Sequence, residues 1–306
     1  MHCNLCPRRC GVQRDRGETG ACRSPWEITA ARAALHMWEE PVLSGISGSG
    51  TVFFSGCALG CIFCQNQTIA RGQTARVISS EQLTEKFLML QDMGAHNINL
   101  VTGSHYVPQI AEALRRAKGQ GLSIPVVYNT GSYEKVQTLK LLEGLVDIYL
   151  PDMKYRSSLL AARYANAPDY FEYASAAIGE MVRQVGEPVL KPVPEAILED
   201  GEKLMLMKKG VIVRHLMLPG QLDDSKNIIR WLYETWGNQI YISIMNQYTP
   251  CNNLPGYPEL NRKVTGEEYD ELVDYAIELG VEQGFIQEGE TAEESFIPAF
   301  DYEGLD

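Results

Sequence analysis

The stretch Thr51-Val52-Phe53-Phe54-Ser55-Gly56-Cys57-Ala58-Leu59-Gly60-Cys61-Ile62-Phe63-Cys64-Gln65-Asn66 begins as an apolar, β-branched run and passes into a glycine-bearing loop of cysteines. Its first part reads as a buried strand. The cysteines come in the order Cys57, three residues, Cys61, two residues, Cys64, and no further cysteine lies nearby. A cubane iron–sulfur cluster has four irons, so three thiolates hold three of them and leave the last open to a small molecule. The competing explanation is a zinc knuckle or buried structural thiols. Zinc sites take four ligands, and a Cys-x-x-Cys pair comes with a second pair downstream. The asymmetric spacing and the loop after a strand favour the cluster.

Beyond this loop the chain alternates apolar strands with amphipathic helices. Strands are expected at 97–101, 124–128, 146–150, 211–216 and 239–245, and helices at 108–118, 133–142, 157–166, 171–185, 224–236 and 266–279. A helix at 79–93 has Ser79 and Gln82 at capping-box spacing and Gly94 as its stop. Near-continuous apolar strands between helices imply a parallel sheet covered on both faces. A closed or partly closed βα barrel and a flat doubly wound sheet both satisfy this pattern. In either, ligands gather at the C-terminal ends of the strands. Polar or glycine-bearing sets do follow the strands: Thr102-Gly103-Ser104-His105-Tyr106, Asn129-Thr130-Gly131, Asp152-Met153-Lys154, and Asn246-Gln247-Tyr248. The strand at 211–216 carries Arg214 and His215 and is followed by Pro219-Gly220.

The cysteine spacing, with Phe63 just before the last cysteine, resembles the radical S-adenosylmethionine (radical SAM) superfamily. That resemblance implies an α/β fold, a partial (βα)6 TIM-like barrel. It implies a 4Fe-4S cluster on Cys57, Cys61 and Cys64, with SAM on the open iron. One electron then splits SAM into methionine and a 5′-deoxyadenosyl radical that abstracts hydrogen from a substrate. The segments Cys3-Asn4-Leu5-Cys6-Pro7-Arg8-Arg9-Cys10-Gly11, Asn99-Leu100-Val101-Thr102, Val146-Asp147-Ile148-Tyr149-Leu150-Pro151-Asp152-Met153-Lys154-Tyr155 and Val213-Arg214-His215-Leu216-Met217-Leu218-Pro219-Gly220 are similar to pyruvate formate-lyase activating enzyme and its homologues. The likeness spans most of the chain, from the first cysteines to Tyr248-Thr249-Pro250. It implies an oxidoreductase that installs a glycyl radical on a partner protein and takes electrons from a flavodoxin or ferredoxin.

Carried onto this chain, the resemblance puts Phe63, Thr102, Gly103, Ser104, His105, Asn129, Thr130, Asp152, Lys154, Arg214 and His215 at the SAM or substrate site. Thr102 to His105 stand where the family has a Gly-Gly-Glu-Pro-like turn that receives the SAM ammonium, and the acid of that turn is missing. Asn129 and Thr130 match a ribose or carboxylate contact, and Asp152 and Lys154 an Asp-x-Lys signature. The plainer readings are a simple βα turn for His105, a surface pair for Asp152 and Lys154, and local core pairing for Arg214 and His215.

The chain has 306 residues and a formal net charge of −12. Such an acidic chain lacks the footprint of a nucleic-acid binder and favours a small-molecule or protein substrate. No run reaches membrane-spanning length, and Cys3, Cys6 and Cys10 stand where a signal peptide needs an apolar stretch. Seven of the eight cysteines fall into two metal-like groups, which argues for a reducing cytoplasm. Residues 1–40 are expected as a Cys-rich metal-binding extension, 41–250 as the barrel, and 251–306 as a C-terminal extension packing on it. Glu288, Glu290, Glu293 and Glu294 read as a solvated run.

Cys3, Cys6, Cys10 and Cys22 suit zinc or a second iron–sulfur cluster, which could relay electrons to the first. Pro7 and Gly11 make knuckle-like turns that lean toward zinc; His2 could substitute as a ligand but reads better as a neighbouring surface residue. Cys251 reads as a buried thiol. Its functional alternative is a hydrogen donor in a radical SAM epimerase acting on a small molecule or peptide. A third class, a non-catalytic iron–sulfur or metal-binding protein, predicts no SAM cleavage.

Overall fold

The computed structural model describes residues 2–197, 201–250, 253–287 and 298–305. Its strands are β1 (Ile28–His36), β2 (Ser49–Phe54), β3 (Arg76–Ile78), β4 (Ile98–Val101), β5 (Val126–Thr130), β6 (Ile148–Pro151), β7 (Val189–Ile197), β8 (Lys203–Leu216), β9 (Tyr241–Met245) and β10 (Gly284–Ile286). Its helices are α1 (Pro41–Ser44), α2 (Gln67–Ala70), α3 (Ser80–Asp92), α4 (Val107–Gly119), α5 (Val136–Leu139), α6 (Ser158–Ala165), α7 (Tyr170–Val185), α8 (Leu222–Trp236) and α9 (Gly266–Leu279). The capping box read from Ser79 and Gln82 is formed at the start of α3. Cys251 and the glutamates at 288, 290, 293 and 294 lie outside the described residues.

The strands order β10-β9-β8-β6-β5-β4-β2-β1-β3, with β7 paired to β8. Pairing is parallel from β10 through β2. The expected βα strands β2, β4, β5, β6, β8 and β9 therefore lie side by side as a partial barrel. β1 and β3 extend its β2 edge in antiparallel pairings. β1 was not expected as a strand. Its sequence, Ile-Thr-Ala-Ala-Arg-Ala-Ala-Leu-His, is alanine-rich, and alanine has little strand preference of its own. Pairing with β2 and burial of Ala30, Ala31 and Ala33 decide its conformation. The β7–β8 hairpin was also unexpected, because the lysines in Lys203-Leu204-Met205-Leu206-Met207-Lys208-Lys209 interrupt the apolar pattern.

Strand side chains alternate between two faces. Val126, Tyr128, Tyr149, Val211 and Val213 point outward and join the main core under the helices. Val127, Ile148, Leu150 and Ile212 point inward and pack on Leu43 of α1 and on Met207. α1 thus plugs the barrel floor with its buried leucine. Full burial of one such side chain stabilises by about 1.5–3 kcal/mol. On the β1 side, the tail returns across the edge: Ala33 N–H donates to Glu303 O at 2.9 Å, and Tyr302 N–H to Ala31 O at 3.1 Å. Phe300 meets Phe53 edge-on at 5.4 Å between ring centroids. Among the described residues, no helix is long and apolar enough to cross a membrane.

Candidate active site

The inward alternation turns from apolar to polar at the C-terminal ends of the strands. Asn129 follows Val127 by two residues, Asp152 follows Leu150, and Arg214 follows Ile212, so all three enter the barrel. Arg214 Nε lies 2.9 Å from Asp152 Oδ1, and its Nη2 donates to Asn129 Oδ1 at 2.7 Å. Its Nη1 lies 3.3 Å from Glu39 Oε2. Lys154 Nζ reaches the other oxygen of Asp152 at 2.7 Å. Asn99, one inward step lower on β4, donates to Glu39 Oε1 at 2.9 Å.

The charges on this floor are tightly coupled. Burial opposes ionisation of Asp152, yet Arg214 and Lys154 beside it hold its carboxyl below the ordinary range. Burial pushes Glu39 and the neighbouring Glu40 upward, only partly offset by Arg214. The floor therefore combines an ionised aspartate, two cations and a pair of glutamates that resist ionisation.

Above the floor opens a cavity of about 260 Å³, continuous with solvent. Its lining includes Cys57, Cys61 and Cys64 together with Thr102, Asn129 and Lys154. The cysteine loop is fixed from behind. Gly56 has φ +92°, and a Cβ there would lie 1.9 Å from Ser24 Oγ and 2.6 Å from Cys22 O. Cys57 N–H donates to Cys22 O at 3.3 Å. Arg8 donates from Nε to Ala58 O and from Nη2 to Leu59 O, each at 2.9 Å. Phe63 packs edge-on between Tyr164 and Tyr248, at 6.2 and 6.0 Å.

Burial pushes the Cys64 thiol up to about 12 and also raises Cys61. Both stay protonated near neutral pH until a metal displaces their protons. The seven described cysteines are free of disulfides. Three thiols lining one cavity with Lys154, Arg214 and Asn129 fit a cluster with one open iron and a zwitterionic nucleoside ligand.

The cavity gathers Phe63, Thr102, Asn129, Asp152, Lys154 and Arg214 from the expected set. Thr102 sits there at φ +59°, a strained conformation for a β-branched residue. Other members lie elsewhere. Gly103 faces the core, where a Cβ would approach Ile110 Cδ1 to 2.5 Å, and Ser104 is buried beside it. His105 turns its Nε2 to Ser55 O at 2.8 Å and lines a different cavity, among the N-terminal cysteines. Thr130 hydrogen-bonds Glu134 behind the sheet. His215 bonds Met153 O at 2.8 Å and Ser225 Oγ at 2.9 Å, on the helix side. Thr130 and His215 each adjoin an inward residue, so strand alternation sends them outward.

Glu39 was not anticipated. It arrives on the β1–β2 connection, whose only signal is the adjacent acids in Trp38-Glu39-Glu40-Pro41. Gln65 was also missed; its Nε2 donates to Gln247 O at 2.9 Å and ties the cysteine loop to the segment after β9.

Residues 51–232 match the family model described as Radical SAM superfamily. Uncharacterized protein MJ0674 of Methanocaldococcus jannaschii is 28% identical over 282 residues, covering 90% of this chain and 74% of that protein. Among solved structures, SuiB of Streptococcus suis bound to S-adenosylmethionine shares 14% identity over 77% of this chain and 49% of its own, with a TM-score of 0.49. The FeFe-hydrogenase maturase HydG from Carboxydothermus hydrogenoformans shares 11% identity over 81% of this chain and 59% of its own, with a TM-score of 0.47. The chain spans about half the length of these solved structures.

Proposed function

The chain belongs to the radical SAM superfamily, and from that premise we propose that it binds its 4Fe-4S cluster through Cys57, Cys61 and Cys64 and abstracts hydrogen from a substrate held over the barrel floor. The observation that carries this reading is the meeting of the three thiols with Lys154 and Asp152 in one cavity. When bound, the cluster and SAM supply a 5′-deoxyadenosyl radical.

The chain's own groups bind and orient. Lys154 offers an ammonium to a carboxylate, and Asp152 holds that ammonium in place from the far side. Asn129 lines the cavity, with its Oδ1 held by Arg214 and its Nδ2 turned to Glu39 Oε1 at 3.5 Å. Thr102 adds a hydroxyl and a carbonyl whose direction the strained backbone sets. Phe63, gripped by Tyr164 and Tyr248, keeps the thiol loop from swinging.

For the substrate, we infer a glycyl radical enzyme activated through its glycine, with electrons from a donor of the flavodoxin or ferredoxin class. The segment resemblance across most of the chain supports this. The second reading is a small molecule or peptide, supported by the buried Glu39–Arg214–Asn99 floor. A glycine has no side chain for that floor to grip, whereas a polar small substrate does. The epimerase form of this reading turns on Cys251.

Anaerobically reconstituted protein with dithionite and SAM is expected to release 5′-deoxyadenosine, and Cys57→Ala to abolish the release. No release from the intact, cluster-loaded protein would defeat the reading. Added glycyl radical enzyme should gain a protein-radical EPR signal; turnover of a small molecule or peptide instead would select the second substrate class.

A further inference from the structure

Tyr155 ends the segment Asp152-Met153-Lys154-Tyr155 that follows β6. Lys154 lines the cavity of the thiols; Tyr155 does not, and it is 1% exposed. Its hydroxyl lies 3.6 Å from Cys61 Sγ, and among the described residues that sulfur is its hydrogen-bond partner. Cys61 itself lines the cavity, so the phenol meets the sulfur from the packed side. A side chain placed there touches neither SAM nor substrate. What it reaches is a cluster ligand.

The direction of the bond follows from the chemistry. A phenol can donate or accept. A cysteine bound to iron has lost its proton and can only accept, so Tyr155 donates.

Both partners are held firmly. Tyr170 meets the Tyr155 ring edge-on at 5.3 Å between centroids, and Tyr164 lies at 6.3 Å. The Tyr170 hydroxyl also fixes the backbone, accepting the Lys154 N–H at 3.0 Å and donating to Asp152 O at 2.8 Å. Met153 N–H donates to Arg214 O at 2.8 Å. On the thiol side, Ile62 N–H, next to Cys61, donates to Tyr164 O at 2.9 Å. Tyr164 therefore packs on the phenol and anchors the loop that carries the sulfur.

The reduced state of an iron–sulfur cluster carries more negative charge on its sulfurs than the oxidised state. A hydrogen bond to a ligand sulfur favours the reduced state and so raises the potential. Burial of Tyr155 strengthens that bond, because the surroundings are of low dielectric.

On the reading that Cys57, Cys61 and Cys64 hold the cluster, we propose that Tyr155 is a positioning residue for electron entry, raising the cluster's reduction potential through its hydrogen bond to Cys61 Sγ. One electron passes from the donor to the cluster, and the phenol keeps its proton.

A redox titration of the full chain reads the potential, after anaerobic reconstitution with iron and sulfide and without SAM. Dithionite supplies the electrons through viologen mediators. EPR follows the signal that is missing from the chain carrying Cys57→Ala, Cys61→Ala and Cys64→Ala. Tyr155→Phe removes one oxygen and keeps the ring. Its midpoint should move to more negative potential, with iron content and thermal unfolding close to those of the unaltered protein. A ring-fluorinated tyrosine in place of Tyr155 is a stronger donor of nearly the same shape, and it should move the midpoint the opposite way. A purely structural role predicts no such opposed pair. An unmoved midpoint in either protein, or two shifts of the same sign, would overturn the proposal. If Tyr155→Phe loses iron, the fluorinated protein decides alone. A missing signal in the unaltered chain would sink the cluster assignment and this role with it. An intact signal indifferent to both changes would sink the role alone, so the two failures are distinguishable.

Discussion

Arg214 on β8 and Asp152 just beyond β6 are joined at 2.9 Å, Nε to Oδ1, inside the barrel. The same guanidinium also holds Asn129 and Glu39. One cation therefore organises side chains from β5, β6 and the β1–β2 connection, and it lines the same cavity as the thiols.

Arg214→Met should destabilise the protein strongly. It leaves Asp152 with Lys154 alone and Glu39 with no cation, and removing one partner of a buried pair costs about 3–5 kcal/mol. Arg214→Lys should recover only part, because an ammonium cannot reproduce the planar fork that meets three partners. Urea unfolding of the two variants measures this. A loss below about 1 kcal/mol in Arg214→Met, the scale of an exposed pair, would show that the network does not hold the floor.

Lys154→Met should act on the ligand more than on the fold, since Asp152 keeps Arg214. A hydrogen bond to a charged group contributes about 1.5–3 kcal/mol, so SAM affinity should fall by about 10- to 150-fold. The measurement is the SAM concentration needed to perturb the EPR signal of the reduced cluster. An unchanged midpoint would remove Lys154 from SAM recognition.

Gly56→Ala should uncouple the cysteine loop from the N-terminal segment. The position has positive φ, and the new methyl would collide with Ser24 Oγ and with the Cys22 carbonyl, which is backbone and cannot swing aside. Iron retained after reconstitution should drop, and proteolysis within residues 1–25 should quicken. Retention of full iron content with wild-type protease resistance would show that the close approach is dispensable.

The sequence carried the barrel because its strands are long apolar runs, and it carried the cysteine site because that spacing is local. It hid β1, whose alanines have no strand bias, and Glu39, which reaches the floor only through tertiary folding. Part of the division between cavity-facing and core-facing residues was legible. Arg214 and His215 are neighbours on one strand, as Asn129 and Thr130 are, and alternation forbids both members of such a pair from facing the cavity. The position of His105 was not legible, because a short turn after β4 decides whether its ring faces SAM or the N-terminal cysteines.

Glu134 supplies a pH-dependent test of the sheet behind the site. It accepts from Tyr128 Oη at 3.1 Å and from the Thr130 hydroxyl, and burial, against those two hydrogen bonds, pushes its carboxyl up from 4.5 to about 7. A raised folded value means that the protonated form is the stabilising one. Its contribution is complete below pH 4.5 and is lost as pH rises through about 7. Between pH 5 and pH 9 this group alone should lower stability by about 2–3 kcal/mol. Glu134→Gln keeps a hydrogen-bonding side chain of the same shape and cannot ionise. Unfolding free energies of the two proteins should therefore lie closest near pH 5, draw apart as pH rises toward 7 and stay apart above it, with the glutamine variant the more stable. Parallel curves across that range would mean that Glu134 ionises as readily in the folded chain as in the unfolded one.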